Sequence, residues 1–434
     1  MNQAKGLVIA APFSSSGKTV ITSGLIKAFK SQGLEVAPFK VGPDYIDPAY
    51  LARAANRPCY NLDSWMTGKK GVIRSFLRGA KKAHIAVIEG VMGLFDGAGG
   101  TTCASTAEVA KILDLPILLV FPARGFGHTA AAILKGLTSY WKELNFTGVI
   151  LNGVASVKHE RILQKALQGL DIPLLGVVTR EKNLELPSRH LGLVQAEEIK
   201  LEEKLAYFAE KLAKETNLSE IIARLKETSF KAFQEKTSPV KIKGSKIAVA
   251  RDKAFSFCYQ ENLDILKESG NEIVFFSPIK GEFPEKADVL YLPGGYPELF
   301  AETLSNQTEL HEKLKKHVAE GMPVLAECGG FMFLLEGLEV NGQVFPMAGI
   351  LPGLARMEKR LQAIGYREAT FKTSNFLANE GQKIRGHEFH YSRVSGFGLR
   401  GLKVTDFEGL EVSTAGLVKE NIIASYLHLH LGSL

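Results

Sequence analysis

The sequence predicts an α/β protein built from two doubly wound sheets in tandem. Three observations carry that expectation. Short, wholly apolar runs alternate with helix-like stretches. The first run, Leu7-Val8-Ile9-Ala10, enters a small-residue turn, Ala11-Pro12-Phe13-Ser14-Ser15-Ser16-Gly17-Lys18-Thr19, and a helix-like segment, Val20 to Lys30, leaves it. The alternation stops near residue 240 and then begins again. Continuous apolar strands between helices are what a parallel sheet covered on both faces requires.

Length and composition agree with this. A chain of 434 residues exceeds one ordinary core, so two or three domains are expected. A hydrophobic content of 45% describes a globular chain, and the apolar run at the N-terminus is too short for a membrane span. A cytoplasmic protein with no membrane partner is the expectation. Cys59, Cys103, Cys258 and Cys328 show no CxxC pairing, which argues against a disulfide scaffold or structural zinc. The net charge of +7 is modest and spread over helix-like segments such as Lys200 to Lys246, so it requires no nucleic acid.

The turn at 11–19 suits a phosphate, because a strand that re-emerges as a helix aims backbone N–H groups and the positive end of the helix dipole at one point. Ser16, Gly17, Lys18 and Thr19 read as a P-loop, with Lys18 reaching the outer phosphates of ATP and Thr19 sitting on Mg²⁺. Pro12 stands where GxxxxGK[ST] has its first glycine. It shapes the turn but cannot donate a hydrogen bond.

Further strands are expected at Ile85 to Ile88, Ile117 to Phe121, Val149 to Leu151 and Leu174 to Val178. Ligands of such sheets gather at the carboxyl ends of strands. Lys40, Asp44 and Asp47 fall in the segment Phe39 to Pro48, and Glu89 and Asp96 in Glu89 to Gly97. Magnesium takes one or two carboxylates with water and phosphate oxygens, so Thr19, Asp44 and Glu89 are candidate ligands. Asp47 and Asp96 are candidates for ordering substrate or metal. Asn152 ends a strand where its amide could read a purine edge, or where Asn before Gly serves the turn alone. Arg180 and Arg189 follow the last strand and either clamp carboxylates bidentately or lie on the surface.

A lysine- and glutamate-rich helical pattern from about 197 to 236 carries Leu201, Leu205, Phe208 and Leu212 at helical spacing. Thr237-Ser238-Pro239 and Lys243-Gly244-Ser245 then break the chain before Ile247-Ala248-Val249-Ala250. Domains of 1–240 and 241–434 are expected. In the second, Val289 to Leu292 runs into Pro293-Gly294-Gly295-Tyr296-Pro297-Glu298, and Val324 to Glu327 runs into Cys328-Gly329-Gly330. A thiol at a tight strand-to-helix turn is placed as a nucleophile, with its pKa expected to be lowered by the helix N-terminus. Backbone N–H groups of Gly294, Gly295 and Gly329 are candidates for an oxyanion hole. The chain end offers His428 and His430 on one strand face, and His387 and His390 form a second pair that is either a rival or a substrate-side element.

Together, Ser16 to Thr19, Lys40 to Pro48, Asn61-Leu62-Asp63, Glu89 to Gly97, Leu292 to Glu298, Glu327 to Gly330 and Ser425 to His430 resemble the cobyrinic acid a,c-diamide synthase family over nearly the whole chain. The resemblance implies an N-terminal P-loop NTPase-like (dethiobiotin-synthetase-like) amidoligase domain and a C-terminal class I glutamine amidotransferase (flavodoxin-like) domain. It implies Cys328 as glutaminase nucleophile and His428 as its base, with ATP and Mg²⁺ as cofactors. The implied substrates are L-glutamine and cobyrinate, or a related tetrapyrrole acid such as hydrogenobyrinate or nickel sirohydrochlorin, and a homodimer stays open. Most class I amidotransferases follow this histidine with Pro-Glu. Here Leu429-His430 follows, which leaves open what orients His428.

Overall fold

The computed structural model describes residues 5–181, 195–228, 230, 240–395 and 398–434, with the side chains of 195–200 excepted. Contacts divide the chain into two compact units, Met1–Glu235 and Lys236–Leu434.

The first unit carries β1 (Lys5–Ala10), β2 (Val36–Val41), β3 (Tyr60–Leu62), β4 (Ile85–Glu89), β5 (Ile117–Pro122), β6 (Phe146–Val154) and β7 (Leu174–Thr179). They form a parallel sheet in the order β3-β2-β4-β1-β5-β6-β7, with the short β8 (Lys226–Glu227) antiparallel against β1. Strand alternation divides the core into two layers. Val8 and Ala10 join one apolar cluster, while Leu7 and Ile9 join the other. Helices α1 (Lys18–Ser31), α2 (Asp47–Ala55) and α7 (Gln195–Glu215) contribute to the Leu7 side. Helices α3 (Ser64–Gly79), α4 (Thr106–Leu113), α5 (Thr129–Tyr140) and α6 (Val157–Leu167) cover the Val8 side. Side chains fix several helix starts. Asp63, Ser105 and Ser156 accept from Met66, Glu108 and His159 backbone N–H groups, each cap contributing about 1 kcal/mol.

In the second unit β9 (Lys246–Ala250), β10 (Glu272–Phe276), β11 (Val289–Leu292) and β12 (Val324–Glu327) lie parallel in the order β10-β9-β11-β12. The strand Ile422–Ser425 continues the sheet parallel to β12. Two further four-stranded sheets are drawn from residues 337–429, and of their strands the sequence reading anticipated the terminal one that carries His428. Strands such as Lys383–His390 (KIRGHEFH) mix charged with apolar residues, so no continuous apolar run announces them. The pairing of Lys383–His390 with the terminal strand Leu427–Leu429 places His387 directly opposite His428.

Candidate active sites

In the first unit the loop after β1 closes on itself before α1 begins. Gly17 has φ 87°, and a Cβ there would lie 2.2 Å from Asn152 Nδ2, so this position requires glycine twice over. Ser16 Oγ donates to Phe13 O at 2.7 Å, and Asn152 Nδ2 donates to Ser16 O at 3.0 Å. Asn152, for which the sequence left a purine reader or a turn residue open, thus ties β6 to the loop and also lines the cleft beside it.

Lys18 Nζ donates to Met92 O at 2.6 Å and Phe13 O at 3.4 Å. Burial, and then the nearby Lys40 charge, lower its pKa to about 8. Thr19 Oγ1 donates to Glu89 Oε1 at 2.7 Å, whereas the buried Glu89 Oε2 has no hydrogen-bond partner among the described residues. Burial raises Glu89 to about 8 against the pull of Lys40, with Asp47 and Asp44 adding to the rise.

Lys40 lies at the end of β2 and is 2% exposed. Its Nζ donates to Gly90 O at 2.9 Å and lies 3.4 Å from Asp47, 3.8 Å from Asp44 and 3.9 Å from Glu89. Burial by itself would lower this ammonium, but the three carboxylates outweigh it and hold the pKa above the ordinary value. Asp44, expected as a metal ligand, has Oδ1 accepting from Ile46 N and Asp47 N and Oδ2 facing Lys40. Burial raises it to about 6. Among the described residues no three His, Cys, Asp or Glu side chains form a metal cage. Among the described residues, Thr19 and Glu89 Oε2 form a candidate donor pair for magnesium.

These groups open into a cleft of ≈ 870 Å³ at the carboxyl ends of the strands. Asp47 and Arg180 line it. Asp96 does not, and accepts from Gly93 N at 3.0 Å to shape the loop after β4. Arg189 lies outside the described residues. Sequence reasoning missed the wall supplied by α7, where Phe208, Lys211 and Leu212 face the cleft. Lys211 Nζ donates to Thr179 Oγ1 at 2.7 Å and pairs with Glu215 at 3.0 Å, tying α7 to the end of β7. No local motif marks such a contact across 32 residues.

The second unit is arranged around Cys328, between β12 and the helix Gly329–Leu334. Its φ of 45° is left-handed for a non-glycine residue, the strain of a sharp elbow that presents a side chain at the sheet end. Cys328 N donates to Ser425 O at 2.8 Å. The expected lowering of the thiol pKa is corrected here. Burial first, and the Glu298 charge next, push it well above the ordinary value and outweigh the Gly329 N–H.

Around the thiol the glycine loops and the terminal strand converge. A Cβ on Gly294 would lie 2.3 Å from His428 Cε1, and one on Gly329 would lie 3.0 Å from Gly295 N. The candidate oxyanion glycines and the candidate base thus share one place. The buried His428 is pushed well below the ordinary imidazole pKa by burial, then by His387 and His390, so it stands neutral at pH 7 and holds a proton less well than a free imidazole would. Its ring stacks on His387 at 4.8 Å and 13°, and Tyr259 Oη contacts His387 Nδ1 at 2.8 Å. His390 is engaged elsewhere, with Glu388 at 3.1 Å, Ser392 O at 2.8 Å and the Tyr426 ring at 3.6 Å. His430 accepts from Gly432 N at 3.2 Å.

Comparison with known proteins matches both units. Residues 7–194 match the CobQ/CobB/MinD/ParA nucleotide binding domain, and residues 246–433 the CobB/CobQ-like glutamine amidotransferase domain. A cobyrinate a,c-diamide synthase of Gloeobacter violaceus is 42% identical over 98% of this chain and 94% of its own. One from Priestia megaterium is 40% identical over 98% of this chain and 94% of its own. This chain belongs to the cobyrinate a,c-diamide synthase family. A hydrogenobyrinate a,c-diamide synthase of Rhizobium meliloti is 39% identical over 98% of both chains. In this member of the cobyrinate a,c-diamide synthase family no helix among the described residues is long and apolar enough to cross a membrane.

Proposed function

We propose that this chain converts the a- and c-acetate carboxylates of cobyrinate to amides, using ATP and glutamine. The observation that carries the reading is the presence of two different strand-to-helix elbows in one chain. One presents Lys18 and the Thr19–Glu89 pair, and the other presents Cys328, whose neighbour Gly329 packs on Gly295 while Gly294 packs on His428.

A carboxylate does not exchange oxygen for ammonia at neutral pH, because the departing oxygen is too basic to leave. Transfer of the γ-phosphoryl group of ATP to the carboxylate, with loss of ADP, gives an acyl phosphate whose leaving group is phosphate. Lys18, already folded over the loop carbonyls, and Lys40 are the cations available to the transferring charge. Thr19 and Glu89 would hold magnesium, which when bound neutralises triphosphate oxygens. In the other unit His428 takes the Cys328 proton as sulfur attacks the glutamine amide carbon. The Gly294, Gly295 and Gly329 backbone receives the oxyanion, and the protonated imidazole gives its proton to the departing nitrogen. Water hydrolyses the thioester to glutamate. The freed ammonia displaces phosphate from the acyl phosphate. The high thiol pKa makes this coupled proton transfer necessary, since the free thiolate is scarce before glutamine binds.

The test is incubation with ATP, Mg²⁺, glutamine and a panel of tetrapyrrole acids, read by mass spectrometry. Two successive hydroxyl-to-amine mass steps on cobyrinate are expected. Amidation of hydrogenobyrinate or nickel sirohydrochlorin in preference would reassign the substrate, and no glutamine hydrolysis would refute the reading.

A further inference from the structure

The strand that carries His428 has only three residues, Leu427–Leu429, and one of its edges pairs with Lys383–His390. Among the described residues its other edge has no long ladder to fix its height relative to the thiol, yet a shift of a single residue would turn His428 to the opposite face. The chain solves this with a buried side chain. Glu327, the residue before the nucleophile, accepts from Leu429 N at 2.9 Å through Oε1, and from Tyr291 Oη at 2.9 Å through Oε2. One residue on, Cys328 N donates to Ser425 O at 2.8 Å. Adjacent residues of the elbow therefore grip the histidine-bearing segment on both sides of His428, once by backbone and once by carboxylate. Asn262 completes the grip on Leu429, donating from Nδ2 to its carbonyl at 2.8 Å while accepting from Leu431 N at 2.8 Å. Glu327 is 1% exposed, so neither bond competes with solvent.

We propose that Glu327 is a positioning residue of the glutaminase reaction, its carboxylate setting the distance between Cys328 and His428 by holding the backbone after the base. The proposal rests on the glutaminase reading above. It supplies an alignment device in a chain that has Leu429-His430 where most class I amidotransferases have Pro-Glu. A backbone clamp acts differently from a carboxylate on the imidazole. It fixes where the ring sits and leaves its basicity alone.

The experiment compares Glu327→Ala and Glu327→Gln in the full chain, measuring glutamine hydrolysis and amidation driven by free ammonia. In Glu327→Ala, kcat for glutamine hydrolysis should fall by about 100-fold, the scale of a misplacement of about 1 Å, with KM for glutamine held. Ammonia-driven amidation should be unchanged, showing an intact fold. Glu327→Gln retains an acceptor for Leu429 N and should recover most of the loss, with the pH profile of kcat where it was. Undiminished hydrolysis by Glu327→Ala would overturn the proposal. So would loss of ammonia-driven amidation, which would mark a general structural role, or a Glu327→Gln variant as impaired as Glu327→Ala, which would mark a need for charge. Failure of the glutaminase reading itself would show separately, as an unmutated chain that hydrolyses no glutamine.

Discussion

Glu89 and Glu327 occupy matching places in the two units and do opposite things. Each is the last residue of an interior parallel strand, each is 1% exposed, and burial raises each to about 8. They differ in what their second oxygen meets. Among the described residues Glu89 Oε2 has no hydrogen-bond partner, and Glu89 lines an open cleft. Both oxygens of Glu327 accept hydrogen bonds. Leaving a buried polar atom unpaired costs about 1–3 kcal/mol, so an incomplete acid beside a cleft points to a ligand that completes it, and a completed acid points to internal alignment.

The largest test of that contrast removes the reacting groups. Lys18→Ala should lower kcat by about 10²–10³-fold with either nitrogen source, the cost of losing one electrostatic stabiliser. Cys328→Ser should abolish glutamine-driven turnover and leave ammonia-driven turnover intact. A Cys328→Ser chain inactive with both sources would break the division of labour between the units. Next in size, Glu89→Gln should depress both routes together and raise the magnesium concentration needed for half-maximal turnover. A magnesium titration superimposable on the unmutated chain would place the cation elsewhere.

A smaller effect follows from linkage. The folded-state pKa of Glu327 lies above its unfolded value of 4.5, so this group opposes unfolding least effectively at high pH. Its contribution is full below about 4.5, where both states are protonated, and is lost as pH rises through about 8. Glu327→Gln should therefore gain stability relative to the unmutated chain between pH 5 and pH 8, with the Tm difference growing by about 2–4 °C for each kcal/mol. A pH-independent difference in calorimetry would mean that the carboxyl titrates as if exposed. The smallest effect expected is from Ser156→Ala, which removes the cap on His159 N and should cost about 1 kcal/mol by denaturant unfolding without touching either activity.

The parts of the molecule legible beforehand were those whose chemistry is local. The runs at 7–10, 85–88 and 117–121 lie within strands because burial on both faces demands unbroken apolar sequence. Ser16 to Thr19 and Cys328 to Gly330 were visible because an elbow needs small residues at consecutive positions. Leu201, Leu205, Phe208 and Leu212 showed a helix, and its buried face, but not that α7 would return to line the cleft. Strands such as Lys383–His390 escaped notice because charged and apolar residues are mixed along them. The thiol pKa was read in the wrong direction because a short helix was weighed without the burial that surrounds it.

The amino-acid order by itself indicated the two-sheet plan, the nucleotide-binding turn, a cysteine placed as a candidate nucleophile and a terminal histidine pair, since each depends on periodicity or on neighbours within a few residues. Tertiary structure alone decided which histidine meets the Gly294 turn, which oxygen of Glu89 stays open, and that Glu327 reaches Leu429 across 102 positions of chain. Burial and long-range hydrogen bonding are properties of the packed chain, and no window of sequence contains both partners.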